Sequence, residues 1–248
     1  MDQERFMQAY ERTVCVGRDK KGIGTLGEKT LHALLKNYFE PDRGKHEIRL
    51  DGYYADIYNG EEVIEIQTSQ FDRLRGKLEV FLKEHPVTVV YPVEERKRLY
   101  WLDRESGEIS GGRLSPRKGT VYQICPELYK IKGLLKNPNL RLHVVVLEVE
   151  EYRILDGWSR DRKRGATRCD RIPKKLNREL RIASREDYRQ LIPEGLPGEF
   201  GSKEFAAAAH ISRRLAQIAL NILYELGTVE RTGKKGNAWQ YRVLCRLL

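Results

Sequence analysis

The sequence has no apolar run close to the roughly 20 residues that a membrane-spanning helix needs. Its four cysteines are scattered and form no CxxC pair, which argues against a structural zinc site or a disulfide framework. The first residues, MDQERFMQAYERT, are charged and lack the apolar stretch of a signal peptide. These absences predict a protein of the reducing cytoplasm that has no membrane partner.

Positive charge, in contrast, is abundant and unevenly placed. The formal net charge is +10, and residues 156–248 contain 20 Lys and Arg against 11 Asp and Glu. Almost all of the excess therefore lies in the last third of the chain. This asymmetry predicts a polyanionic partner that is bound mainly by the C-terminal region. The alternative is a basic surface that serves only solubility.

A β-hairpin is predicted around Asn59-Gly60, because this dipeptide lies between two alternating apolar runs. With these two residues as the turn, Asp56 pairs with Val63. Asp56, Val63, Glu65 and Gln67 then share one face, because side chains alternate along a strand. In this register Asp56 and Glu65 are diagonal neighbours about 7–8 Å apart. Their carboxylates are near enough to hold one cation.

Apolar periodicity around this hairpin predicts an α-β-β-β-α-β order of elements. The predicted helices cover 25–39 and 71–84, and the flanking strands cover 46–50 and 87–92. A further hairpin, helix and strand extend the sheet, so that a first domain covers 1–155. Residues 156–183 are basic and weakly periodic, which predicts a linker or arm. Short helices capped by Ser202 and Ser212, and then two strands, follow in a second domain, 184–248.

A helix bearing Glu28, with Asp56 and Glu65-Ile66-Gln67 on adjacent strands, resembles the PD-(D/E)XK nuclease superfamily. The resemblance covers about residues 20–92 and implies an α/β fold, a restriction-endonuclease-like αβββαβ core with a mixed sheet. It implies that Asp56 and Glu65 bind Mg²⁺ or Mn²⁺, with the Ile66 carbonyl nearby, and that Glu28 orients a water ligand or the ion. Glu28, Asp56, Glu65 and Gln67 are then the catalytic residues.

Gln67 departs from this pattern, because the superfamily usually has lysine there. Glutamine can orient a water molecule, but it cannot supply positive charge or exchange a proton. Some superfamily members are similar in using E-x-Q. Lys77 on the following helix is a candidate source of the missing charge. His32, one turn after Glu28, could border the site, but the sequence favours a partly buried structural histidine.

A near match to a phosphate-binding loop, GIGTLGEKT, competes for the same residues. Glu28 separates Gly27 from Lys29 in this segment, which turns the lysine by about 100° around a helix. A glutamate at the phosphate-facing turn also repels a nucleotide. The sequence therefore disfavours nucleotide binding.

The segment SKEFAAAAHISRRLAQIALNILYELGTVERTGKKGNAWQYRV resembles winged-helix DNA-binding domains. Apolar residues, Trp239 among them, are expected to form a small core. The resemblance implies that the second helix presents Arg213, Arg214, Gln217 and Asn221 to base edges. It implies that Arg231, Lys234 and Lys235 on the wing contact phosphates. A winged helix used for protein contacts is the alternative.

Together these features predict a metal-dependent nuclease, an endonuclease that hydrolyses phosphodiester bonds of duplex DNA and is targeted by a C-terminal winged helix-turn-helix domain. A homodimer is a candidate assembly, since two-strand cleavage by a single-site nuclease favours it. The alternative function is a catalytically inactive DNA-binding regulator or targeting subunit. The sequence leaves the preference for DNA over RNA and the sequence specificity open.

Overall fold

The fold is centred on a seven-stranded mixed sheet in the computed structural model, which describes residues 2–15, 30–103, 105–156 and 166–244. The helices are α1 (Gln3–Tyr10), α2 (Thr30–Phe39), α3 (Phe71–Phe81), α4 (Cys125–Lys130), α5 (Ser202–Ala208) and α6 (Arg213–Glu225). The strands are β1 (His46–Leu50), β2 (Tyr53–Tyr58), β3 (Val63–Ile66), β4 (Val87–Leu102), β5 (Ile109–Leu114), β6 (Leu140–Ile154), β7 (Thr167–Ile182), β8 (Val229–Lys235) and β9 (Ala238–Val243).

The sheet has the strand order β1-β2-β3-β4-β6-β7, and β5 pairs with the second half of β4. Strands β3, β4 and β6 run parallel, and the other pairings are antiparallel. From α2 to β4 the elements follow the predicted α-β-β-β-α-β order, so that order and the α/β class with a mixed sheet are confirmed. The start of the predicted first helix, residues 25–29, lies outside the described residues.

Both faces of the central strands are covered, which explains the continuous apolar run that begins β4. Val87 and Val89 pack with α3 and α4 in one hydrophobic cluster. Val90 and Val145 pack with α1 and α2 in a second cluster on the other face. Parallel strands buried on both faces carry apolar residues without alternation.

The prediction of a linker or arm over residues 156–183 is wrong for residues 167–182. These residues form β7, which pairs with β6 from Leu142 to Ile154. Ile172 and Leu176 of β7 are buried, while charged side chains on the same strand form ion pairs with other strands of the sheet, as Arg171 does with Glu94 on β4. These cross-strand pairs satisfy polar residues that otherwise indicate an exposed segment. The sheet therefore extends to residue 182, beyond the predicted limit at 155.

The C-terminal segment, residues 184–244, contains α5, α6 and the β8–β9 hairpin. Ser212 caps α6 as predicted, since its side chain accepts a hydrogen bond from the Leu215 amide. The predicted cap of α5 is wrong by one residue, because Gly201 precedes the helix and receives the Glu204 side chain at its amide. One hydrophobic cluster joins α5 and α6 to α4 and the sheet, so the segment is packed firmly on the rest of the fold.

Within the described residues, no helix combines the length and the apolar character required to cross a bilayer.

Candidate active site

The hairpin that carries Asp56 and Glu65 has a longer turn than the sequence predicts. Strands β2 and β3 pair with Tyr58 opposite Val63, so the loop covers residues 59–62. The Asn59 side chain accepts hydrogen bonds from the amides of Glu61 and Glu62 and stabilises this loop. The predicted pairing of Asp56 with Val63 is therefore wrong by two residues. Because the shift is even, every side chain keeps its predicted face.

The longer turn places Glu65 directly opposite Asp56 rather than diagonal to it. The backbone amide of Asp56 donates to Glu65 Oε1 over 3.2 Å. The amide of Ile66 donates to Asp56 Oδ2 over 2.8 Å. We call Asp56 and Glu65 the acid pair. Only 22% of the Asp56 side chain and 4% of the Glu65 side chain are exposed, so both carboxylates are held in a partly dehydrated pocket.

Lys77 on α3 compensates part of this negative charge. Its Nζ lies 2.6 Å from Glu65 Oε2 and 5.7 Å from the centre of the Phe81 ring. The side chain is 17% exposed. The predicted contact between this lysine and the acid pair is thus present, although Lys77 is 12 residues away from Glu65 in sequence.

His32 on α2 lies on the other side of Asp56. Its Nε2 is 3.2 Å from Asp56 Oδ2 and 3.2 Å from the Ile66 carbonyl oxygen. Both neighbours are hydrogen-bond acceptors, so Nε2 carries a proton. His32 is partly buried, as the favoured interpretation has it, but it also contacts Asp56 and therefore borders the acid pair.

Gln67 has its side-chain amide bonded to the backbone and not to the acid pair. Its amide Nε2 donates to the Ser69 carbonyl over 2.6 Å, and its backbone amide donates to Val90. The side chain is therefore engaged in the turn that follows β3, and the structure does not bring it onto either carboxylate.

The two carboxyl groups differ in proton affinity. Burial and the nearby Asp56 charge raise the pKa of Glu65 to about 7, against the opposing effect of Lys77. Burial also raises the pKa of Asp56, but the His32 hydrogen bond and charge, the Ile66 amide and Lys77 outweigh it, so the net pKa is lowered. Near neutral pH the pair therefore holds one permanent negative charge on Asp56 and one titrating group.

The donor atoms at this point suit a hard cation. Two carboxylates and the Ile66 carbonyl supply oxygen ligands, and Mg²⁺ takes one or two carboxylates and keeps several waters. Across the described residues, no three His, Cys, Asp or Glu side chains are grouped as a metal site. Glu28, the third predicted acid, lies outside the described residues.

The predicted nucleic-acid-binding residues occur in two environments. Arg213, Arg214 and Gln217 are exposed along α6, while Asn221 on the same helix is half-buried. Lys234 and Lys235 are exposed near the turn of the hairpin. This part of the surface is free to meet a partner.

Arg231 differs from the other predicted wing residues. Its guanidinium lies 4.2 Å from the Tyr224 ring centre, 4.5 Å from that of Trp239 and 6.0 Å from that of Tyr241. These rings hold Arg231 within the packing between α6 and the hairpin. Trp239 is 38% exposed, so its predicted place in the core is wrong: the indole lies at the surface between Arg231 and Lys234.

Comparisons with known proteins cover most of the fold. Residues 29–183, from the start of α2 to the end of β7, match the family described as Domain of unknown function (DUF8091). A relative from Treponema pallidum (strain Nichols), titled "Uncharacterized protein", is 32% identical over 227 residues. That alignment covers 89% of this chain and 87% of the relative. No solved structure matches the chain.

Proposed function

We propose that this protein, which belongs to the DUF8091 family of domains of unknown function, is a metal-dependent nuclease that cleaves phosphodiester bonds of DNA. In this proposal α2 to β4 form a PD-(D/E)XK core, and α5, α6 and the β8–β9 hairpin form a winged helix. The observation that carries the proposal is the acid pair, held opposite each other on β2 and β3 with Lys77 2.6 Å from Glu65.

Two buried carboxylates side by side repel each other and cost stability unless a cation joins them. Lys77 contacts only Glu65, and His32 donates a hydrogen bond to Asp56. A divalent ion between the two carboxylates would complete their charge balance. Asp56, Glu65 and the Ile66 carbonyl would hold Mg²⁺ or Mn²⁺, which supplies charge neutralisation and activation of water for attack on a phosphodiester.

The surrounding side chains have defined supporting tasks. His32 donates from Nε2 to Asp56 and fixes the orientation of that carboxylate. Lys77 donates to Glu65 and favours its ionised form. The lysine therefore provides, from α3, positive charge of the kind that the E-x-Q sequence lacks at position 67. Gln67 supports the turn after β3.

The exposed face of α6 supports DNA as the substrate. Arg213 and Arg214 begin this helix, and Gln217 lies one turn further on. Arginine and glutamine can form paired hydrogen bonds with guanine and adenine edges. The C-terminal position of most of the excess positive charge agrees with a phosphate-rich partner.

A direct test incubates the purified chain with plasmid, linear duplex, single-stranded DNA or RNA in the presence of Mg²⁺ or Mn²⁺. We expect cleavage of DNA that EDTA abolishes. Asp56→Asn and Glu65→Gln should each lower the rate by about 10³-fold or more, since removing a charged ligand removes the ion. Glu61→Gln, on an exposed acid of the same hairpin loop, is the matched control and should retain wild-type activity.

Absence of cleavage on every substrate, together with no metal-dependent rise in melting temperature, would exclude the proposal. A second candidate is then favoured: a DNA-binding regulator or targeting subunit without catalytic activity. The observation behind it is the Gln67 side chain, which faces the Ser69 carbonyl instead of the acid pair. That candidate predicts salt-sensitive DNA binding that Asp56→Asn leaves unchanged.

A further inference from the structure

A polar cavity of about 290 Å³ lies near the acid pair, where β3 ends and β4 continues past its pairing with β3. We call it the flanking cavity. The residues that matter for its chemistry are Thr68, Glu94, Lys97, Arg117, Lys118 and Arg171.

The flanking cavity begins next to the site in sequence and in space. Thr68 is three residues after Glu65, and Tyr91 of the cavity wall follows Val90, which pairs with Ile66. Three residues of extended chain span at most about 10 Å. The wall at Thr68 is therefore within about 10 Å of the backbone of Glu65.

The floor of the cavity is a compensated network of charges. Glu94 accepts hydrogen bonds from Arg171 and from Lys97, the latter at 3.0 Å. Lys97 also lies 2.9 Å from Glu151, which is buried. The Arg171 and Lys97 charges hold the pKa of Glu94 below its usual range despite burial. Glu94 therefore stays ionised, and the floor's cations are engaged by Glu94 and Glu151.

The rim is different, because its cations have no such compensation. Arg117 and Lys118 are exposed, and neither forms an ion pair with any carboxylate of the described residues. The loop that carries them is fixed by backbone hydrogen bonds from Ser115 to Lys97 and from Gly119 to Glu94. A Cβ at Gly119 would lie 2.3 Å from the Glu94 carbonyl oxygen, so glycine is what allows this loop to approach β4.

We propose that the flanking cavity binds a backbone phosphate of the DNA strand, next to the stretch whose phosphate lies at the acid pair. One strand of duplex DNA carries a charge about every 3.4 Å along its axis, and the wall at Thr68 is within about 10 Å of Glu65, so nearby phosphates of one strand can reach both places. Arg117 and Lys118 supply the positive charge, and the preordered loop limits the entropy lost on binding. The inference rests on the proposed nuclease function, which assigns a DNA phosphate to the neighbouring acid pair.

The test measures binding of a fluorescein-labelled 20-base-pair duplex by anisotropy, in EDTA so that no cleavage occurs, at several salt concentrations. Arg117→Ala with Lys118→Ala should weaken binding about tenfold and reduce the salt slope by about 1.8, as expected for two lost phosphate contacts. Arg117→Lys with Lys118→Arg keeps the charge and should stay within threefold of wild type.

The matched control is Arg141→Ala with Arg181→Ala. These two arginines border a separate cavity together with Asn59 and Thr88, near the opposite ends of the same strands. This variant removes the same charge and should change affinity less than twofold. Equal losses in the two double variants, or no loss in either, would overturn the proposed phosphate site.

The failure of this inference can be told apart from failure of the nuclease proposal. If wild-type protein cleaves DNA but the two double variants bind it alike, the flanking cavity is not a phosphate site and the nuclease proposal stands. If no substrate is cleaved but the tenfold contrast in binding is found, the cavity binds DNA beside an inactive acid pair.

Discussion

The acid pair carries its charges in a buried environment, whereas the C-terminal segment carries many of its charges on the surface. Glu65 is buried, Lys77 is partly buried, and the two side chains lie 2.6 Å apart. Arg214 and Gln217 are exposed and lie along one side of α6. A buried charge must have a partner to be tolerated, whereas an exposed charge can remain available for a ligand. The geometry of the acid pair is therefore fixed by contacts within the protein. The exposed side chains of α6 are suited to contacts with another molecule.

Arg231 shows that this contrast also divides the C-terminal segment. It is stacked on Tyr224 and Trp239, while Lys235, at the end of the same strand β8, is exposed. Positive charge counted along the sequence thus overstates the number of cations that are free to contact phosphate. The predictions below separate the buried from the exposed charges.

Among the side chains that support the acid pair, the largest effect is expected at Lys77. Replacing it with methionine keeps much of the side-chain volume and removes the charge that favours the ionised form of Glu65. On the proposed function, we expect cleavage to fall about 10²-fold, and the pH at which activity is half-maximal should rise. Lys83→Met, on an exposed residue just beyond the same helix, should leave both values unchanged. An unaltered pH profile in the Lys77 variant would show that the ion pair has no influence on Glu65.

The exposed arginines of α6 should affect binding without affecting stability. Arg213→Ala with Arg214→Ala is expected to weaken duplex binding about tenfold and reduce its salt dependence, with an unchanged melting temperature. Arg231→Ala should do the reverse: its cation–π contacts are worth about 0.5–2 kcal/mol, so the melting temperature should fall by several degrees. If the two variants changed duplex binding and melting temperature alike, the proposed difference between packed and exposed cations would be wrong.

Glu65 provides a pH-dependent test of the buried region. Because its folded pKa is raised to about 7, the group contributes stability below its unfolded pKa, and that contribution is lost as pH rises through about 7. In EDTA, the free energy of unfolding should therefore fall between pH 5 and pH 8 in wild type relative to Glu65→Gln. Metal binding requires the ionised carboxylate, so Mn²⁺ affinity should be about tenfold weaker at pH 6 than at pH 8. Parallel stability curves for the two proteins would contradict this assignment.

The smallest effect is expected at Gln67. Its side chain donates to the Ser69 carbonyl and contacts neither carboxylate, so Gln67→Ala should change the cleavage rate by less than about threefold. A loss comparable to that of Lys77→Met would mean that Gln67 moves onto the site during the reaction.

The sequence predicts the arrangement of Asp56 and Glu65 better than the rest of the sheet, because that arrangement depends on residues close together in the chain. Alternation along β2 and β3 fixes the face of Asp56 and Glu65, and an even shift of register preserves it. The contact with Lys77 depends on the helix that follows directly. The β7 strand was missed because its polar residues are satisfied by distant partners, such as Glu94, which is 77 residues from Arg171. An ion pair between residues so far apart in the chain leaves no local sequence pattern from which it can be predicted.

The central claim is that Asp56 and Glu65 together hold a divalent ion. The most direct measurement is a crystal structure of the protein soaked in MnCl₂, with anomalous diffraction data that locate manganese. The account predicts a peak between the two carboxylates, within about 2–2.6 Å of oxygens from Asp56, Glu65 and the Ile66 carbonyl, distances typical of divalent ions bound to oxygen. No peak at this position, with Lys77 still bound to Glu65, would contradict it.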